Sequence, residues 1–209
     1  MRLRHPSVGH RLPHPLRLFG QRVMLRPLTA QDFPTWTAVR RANEQWLVPW
    51  EPRRPPSQLD PTLNRDAFVA RCAARDRDAA AGLAFGFGLF VADGLAGEIN
   101  LNSVQRGAMQ SATVGYWIDQ ARAGHGYVAE GVVAVAQFAF EELELHRLEI
   151  CIVPRNHNSR RVMEKLAIRE EGLAQRFLEI NGIWEDHVRY GFTVEEWTAR
   201  RDELRQRWL

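Results

Sequence analysis

Lysine is almost missing: Lys165 stands alone among 28 lysines and arginines in the 209-residue chain. Cysteine is nearly as scarce. Cys72 and Cys151 are too few and too far apart for a disulfide framework, and no metal-ligand spacing includes either. Reduced thiols in a cytoplasmic protein are the expectation. No uninterrupted apolar run approaches the roughly 18–20 residues of a membrane helix, so no membrane partner is expected. The first twenty residues carry Arg2, Arg4, Arg11, Arg17 and three histidines among prolines, with no apolar centre, and do not read as a secretory signal peptide. Neither sign of charge dominates, since the formal net charge is +3, which gives only a weak pull toward polyanions. Residues 1–18 are expected to form a mobile basic arm, with direct RNA contact as the sharper alternative. Residues 19–209 fit one domain.

Pattern, by contrast, is plentiful. Residues 22–28 (RVMLRPL) read as a strand, and Thr29 can cap a helix after it. Five prolines and three tryptophans between 34 and 56 mark an irregular aromatic segment. A helix is predicted over about 62–79. The segments 83–91, 95–104 and 111–119 read as an antiparallel meander. Val128, Val132, Val135, Ala139 and Leu143 then recur at helical intervals. Residues 147–154 read as a buried strand and 158–166 as a short helix. Asn181-Gly182 signals a hairpin, and Thr193 with Glu196 a capping box. The order predicts a mixed α/β (α+β) domain of about seven strands and four to five helices, not a doubly wound sheet.

The stretch RAGHGYVAEG (122–131) places three glycines at the start of the predicted helix, where each costs about 1 kcal/mol relative to alanine. A helix start offers unpaired N–H groups and the positive end of the dipole, so Gly124 and Gly126 can admit a phosphate to the backbone. Glycines that merely turn the chain are the plainer reading. A Walker A loop would end in Gly-Lys-Ser/Thr, and a Rossmann loop would follow a βαβ start; neither fits.

Five segments in order carry a resemblance: NEQWLVPWEP (43–52), VGYWIDQARAGHGYVAEGV (114–132), LHRLEICIVPRNHNSRRVMEKL (145–166), REEG (169–172) and NGIWEDHVRYGF (181–192). Over about residues 19–197 the chain resembles the GNAT superfamily of acetyl-CoA-dependent N-acetyltransferases. Within it, the chain is similar to the RimJ/RimL-type ribosomal-protein-alanine N-acetyltransferases. The resemblance implies the GNAT fold, with a splayed, mostly antiparallel central sheet. It implies acetyl-CoA as co-substrate and no metal. The coenzyme A pyrophosphate would rest on main-chain amides of Ala123, Gly124, His125, Gly126, Tyr127 and Val128. The pantetheine arm would pair with the exposed backbone of Tyr116 to Asp119, Trp117 and Ile118 among them, on a strand splayed from the one at 147–153; core packing of Tyr116 or Trp117 is the alternative. The family pattern Gln/Arg-x-x-Gly-x-Gly/Ala is met imperfectly, because Ala123 holds its first position and Val128 its last; a shifted register would use Ala121 and Gly126.

In the same resemblance Asn156 contacts the co-substrate and Ser159 lies near its sulfur. A hydroxyl there suits the chemistry, since the departing alkyl thiolate has a pKa of about 8.5 and leaves more easily when protonated. The alternative is that Asn158 or Ser159 only caps the short helix. Met163 stands where many relatives outside this branch carry an acidic tyrosine, and EKLAI, with Ala167 and Ile168, replaces the usual EKLGF. Along GEINLN, Glu98, Asn100 and Asn102 share one face and Ile99 and Leu101 the other, a polar stripe that either lines a wet cleft or simply faces solvent on a half-exposed strand. Glu98 is the expected general base, with Glu179, Asp186 and His187 as rivals. Asn100, Tyr116, Trp46 and Trp50 are expected to bind the acceptor, the two tryptophans having a packing cluster as their alternative. The expected reaction is direct acetyl transfer to an α-amino group at a protein N-terminus, with a ribosomal protein as acceptor. Small amines (an aminoglycoside or polyamine) and a non-catalytic acyl-CoA-binding or ribosome-binding module are the rivals. Monomer and homodimer both remain open.

Overall fold

Three strands joined by short turns form the centre of the computed structural model, which describes residues 16–209. They are β3 (Phe85–Val91), β4 (Gly94–Gln105) and β5 (Ser111–Ile118), numbered after β1 (Leu18–Phe19) and β2 (Val23–Arg26). The β3–β4 turn is Ala92-Asp93, both with positive φ, 47° and 63°, the twist that a two-residue hairpin demands. The chain then forms β6 (Arg147–Ile152), β7 (Arg169–Ile180) and β8 (Ile183–Thr193). All eight strands join one sheet in the order β1-β2-β3-β4-β5-β6-β8-β7. The pair β5–β6 is parallel and every other pair antiparallel. Among the described residues the sheet thus has one strand more than expected, the two-residue β1, and six α-helices stand in place of four or five. The arm expected over residues 1–18 lies outside the described residues as far as residue 15, and Leu18 opens β1.

Helices cover both faces. On one lie α1 (Phe33–Ala42) and α3 (Arg65–Ala80), around a small core of Leu28, Trp36, Phe68, Cys72, Phe90 and Leu95. A short α2 (Glu44–Leu47) follows α1. Thr29 caps the 3-10 turn Ala30–Asp32 ahead of α1 rather than the helix itself. On the other face lies α4 (Tyr127–Gln137), buried at every position from Val128 to Ala136. A helix apolar all round belongs inside, and α4 sits between the sheet and α6 (Val194–Trp208). A Cβ on Gly131 would come within 2.4 Å of Ile99 Cδ1, so this glycine lets α4 approach β4 closely. One π-helical turn, Phe138–Glu142, extends α4, and α5 (His157–Leu166) links β6 to β7. The final hairpin turns at Asn181-Gly182 with φ of 49° and 87°, and the Thr193–Glu196 capping box starts α6.

The feature that positions the site is a failure of pairing. Strands β5 and β6 are joined only at Ser111↔Arg147, Ala112↔Leu148 and Thr113↔Glu149. Beyond these, residues 114–118 and 150–152 diverge, and a gap opens in the middle of the sheet.

Candidate active site

At one end of the gap, Asp119 begins a tight turn whose side chain accepts from Ala121 N. The loop then passes through Gly124 at φ 84° and Gly126 at φ 87°, both left-handed, where a side chain would be strained. Gly126 is the N-cap of α4, and the helix ladder begins with Glu130 N donating to Gly126 O at 3.0 Å. The amides of residues 127–129 therefore have no partner within the helix. Nothing lies within 4 Å of where a Cβ on Gly124 would stand, while Arg22 Nη2 and Lys165 Nζ come to 3.5 and 3.7 Å of that point on Gly126. His125 is exposed and stacks on Tyr127, and Arg22 lies over the same Tyr127 ring. Ala123 is half-buried and Val128 buried, so Val128 presents only its amide to the loop. Arg22 is held by Glu130, fully buried, whose carboxylate also accepts from the backbone amides of Arg22 and Val23. An extended phosphate chain fits this helix start, with open space at Gly124 and two cationic side chains beside Gly126.

Across the gap, α5 brings a hydroxyl to β5. Asn156 caps α5 by accepting from Ser159 N at 3.1 Å, so the cap is Asn156 and the Ser159 hydroxyl is not needed for it. That hydroxyl lies 2.9 Å from Tyr116 Oη. Tyr116 pairs with Ile99 and so points to the α4–α5 side, not to the face of Glu98 and Asn100 where acceptor binding was expected. Trp117 pairs with Glu98 and points the opposite way, under Arg40. The Ile118 carbonyl, on the backbone expected to pair with the pantetheine arm, accepts from Trp46 Nε1 at 3.0 Å. Asn43, which sequence reasoning missed, is buried beside it, donating to Asp119 Oδ1 and accepting from Gln120 N. Trp46 and Asn43 therefore tie the aromatic segment to the end of β5. Trp50 lies under the Arg155 guanidinium, 4.7 Å from its ring centre, and Arg155 also bonds Glu185 on β8.

The polar stripe on β4 differs from the wet row expected of it. Asn102 is exposed and Asn100 half-buried, but Glu98 has no exposed surface. Its carboxylate accepts from Trp36 Nε1 at 2.5 Å, from Arg71 at 2.6 and 2.9 Å, and from Arg75 at 2.6 Å. Burial alone would raise its pKa; the two guanidiniums and the indole N–H outweigh burial and hold Glu98 below the ordinary carboxylate range. With its lone pairs taken and its pKa lowered, it is poorly placed to collect a proton. Asn100 lies between Gly86 and Gly115 on the neighbouring strands, and its Oδ1 is buried without a hydrogen-bond partner among the described residues. Of the rival bases, Glu179 and Asp186 point to the other side of the sheet, and Asp186 accepts from Arg176 N. His187 alternates with Arg189 and Gly191 onto the side of Glu98; it is buried, its Nδ1 3.0 Å from the Glu185 carbonyl. Cys151 shares that side, half-buried, and burial pushes its thiol pKa up, away from the reactive thiolate. Among the described residues no group of three or more His, Cys, Asp and Glu side chains is placed to hold a metal ion.

Two half-sheets parted beside a helix start that is open to phosphate make the frame of an acyl-CoA-dependent N-acyltransferase. Residues 22–169 match the family described as acetyltransferase (GNAT) domain, and the chain belongs to that family. It is an acetyl-CoA-dependent N-acetyltransferase. It is 46% identical over 172 residues to "Probable N-acetyltransferase YjcK" of Bacillus subtilis (strain 168), covering 81% of this chain and 93% of that one. It is 31% identical over 188 residues to the ribosomal protein uS5-alanine N-acetyltransferase of Escherichia coli (strain K12), covering 89% and 95%. Among solved structures, Mycobacterium smegmatis RimJ in complex with CoA-disulfide superposes with a TM-score of 0.81 at 30% identity, over 88% of this chain and 90% of that one. No helix among the described residues is long and apolar enough to cross a membrane.

Proposed function

We propose that this enzyme transfers acetyl from acetyl-CoA to the α-amino group of a protein N-terminus, with a ribosomal protein as acceptor, by direct attack in a ternary complex. One observation carries the choice of acceptor. Of the carboxylates on the α1–α3 side around the gap, four are neutralised by arginine, and the fifth, Asp119, is engaged by the Asn43 side chain and the Ala121 amide. Glu98 pairs with Arg71 and Arg75, Glu51 with Arg40, Glu149 with Arg147 and Arg189, and Glu185 with Arg155. A polyamine or aminoglycoside would need several of them free. An α-amino group, with a pKa of about 7.7–8.0, brings one charge and is partly neutral at pH 7, so it needs only modest help in losing its proton. The similarity to the uS5-alanine enzyme supports the same choice. Ser159 is the group that protonates the departing sulfur, and the helix start at Gly124–Gly126 holds the pyrophosphate.

The test is acetyl transfer from labelled acetyl-CoA to a panel of N-terminal peptides, including ribosomal ones, alongside spermidine and an aminoglycoside. The expected result is a kcat/KM at least tenfold higher for some peptide than for either small amine. The reverse order would replace this reading with the small-amine one, and binding of acetyl-CoA without transfer to any acceptor would favour a sensor.

A further inference from the structure

Tyr116 and Ser159 are 43 positions apart and meet across the gap. Ser159 is the third residue of α5, and its amide is already satisfied by Asn156. A serine there commonly turns its hydroxyl to its own helix or to water. Here it lies 2.9 Å from Tyr116 Oη, and the same phenol is 3.3 Å from the Ser159 carbonyl oxygen. A phenol has one proton and must choose between the two acceptors. Given to the carbonyl, it lets the serine proton point back at the phenol oxygen. Given to Ser159 Oγ, it occupies a lone pair of the serine and turns the serine's own proton elsewhere.

Resting on the reading of Ser159 as the group that protonates sulfur, we propose that Tyr116 is a positioning residue. Its phenol donates to Ser159 Oγ and directs the serine proton into the gap. In the transfer step the amine nitrogen bonds to the acetyl carbon and the carbon–sulfur bond breaks. The serine proton passes to sulfur, and the proton shed by nitrogen restores the serine hydroxyl. Tyr116 stabilises the serine oxygen while it is short of a proton and gives up none of its own. Burial raises the phenol's pKa, which suits a group that holds rather than transfers a proton. A hydrogen bond made to a fuller negative charge strengthens as the charge develops, so its effect falls on the transition state.

Four proteins test this: the natural chain, Tyr116→Phe, Ser159→Ala and the double variant, each measured with the best peptide of the panel. Tyr116→Phe should lower kcat about two- to tenfold, the range of one ordinary hydrogen bond, and leave the dissociation constant for coenzyme A unchanged. The double variant should be no slower than Ser159→Ala, because the phenol has nothing left to act through. A double variant slowed by the product of the two single losses would overturn the inference, as would an unchanged kcat in Tyr116→Phe beside a slowed Ser159→Ala. An unchanged kcat in Ser159→Ala would instead remove the reading of Ser159 on which this one rests.

Discussion

Glu98 shows that a carboxylate's role is set by what faces it. Replacing it with glutamine leaves Arg71 and Arg75 without their common counter-charge beneath α3, and breaking a buried pair in this way costs about 3–5 kcal/mol. Glu98→Gln should therefore lower the melting temperature sharply, while the rate per folded molecule falls less than the factor of about 10² expected for loss of a general base. A hundredfold slower enzyme with normal stability, recovering as pH rises, would restore Glu98 to the chemistry. Asn156 makes the complementary case. Asn156→Ala removes the cap of α5 and should lose about 1 kcal/mol in a denaturant titration, with Tyr116 and Ser159 still facing each other. A signal for the arginines was present in the sequence. Phe68, Arg71, Cys72 and Arg75 follow the i, i+3, i+4, i+7 spacing of one helix stripe, and arginines within a stripe that buries Phe68 and Cys72 call for an acid opposite. The alternation along β4 correctly grouped Glu98 with Asn100 and Asn102, but alternation alone cannot say whether a helix covers that face.

Among the elements, the loop before α4 offers the cleanest substitution test. At Gly124 an added Cβ meets nothing, and aspartate tolerates the left-handed backbone at least as well as alanine, so weaker binding to the aspartate variant reports its charge and not added strain. Calorimetry should show coenzyme A binding more than tenfold weaker to Gly124→Asp than to Gly124→Ala, a difference of about 1.4 kcal/mol or more. Equal affinities would move the pyrophosphate off this loop. Elements whose cause is local were legible: the three-strand meander, the Asn181-Gly182 turn and the Thr193–Glu196 box all lie where their residues place them. The sequence offers Asn158 or Ser159 as a cap of α5 only as the alternative to a role for Ser159 in the chemistry, because either residue type can fill that position; that Asn156 is the cap depends on how β6 delivers the chain. Asn43 and Trp46 were legible only as residue types, since their partners at Ile118, Asp119 and Gln120 are more than seventy positions away.

For the molecule as a whole, the buried and paired carboxylates set its behaviour in acid. Burial opposes ionisation of Asp60, yet hydrogen bonds from Arg54 and Thr62 bring its pKa down to about 2, and Glu98 is also lowered. Unfolded, the two would titrate near about 3.9 and 4.3. Their contribution to stability is therefore complete above about pH 5 and fades as pH falls through the lowered folded values. Melting temperature measured from pH 7 to pH 3 should fall on the acid side, and Glu98→Gln should flatten that fall. A melting temperature indifferent to acid in the natural chain would contradict the ion-pair assignment. The gap was legible only through the family resemblance, which implies a splayed sheet; β5 and β6 themselves look like ordinary strands, and their parting after three pairs is a property of neither alone.

The place of β8 has a consequence for how the chain is made. A growing polypeptide presents β7 before β8, yet β8 is the strand that bonds to both β6 and β7, and β7 has no other partner strand among the described residues. Until residues 183–193 have been synthesised, β6 is held only by its three pairs with β5, and the twelve-residue β7 is an open edge. The first five strands can assemble early by neighbouring pairings, whereas the far half of the sheet must wait for the last strand. Cut at residue 180 and released, the chain would leave β7 without its partner strand and one edge of β6 open at once, the condition under which one polypeptide recruits another.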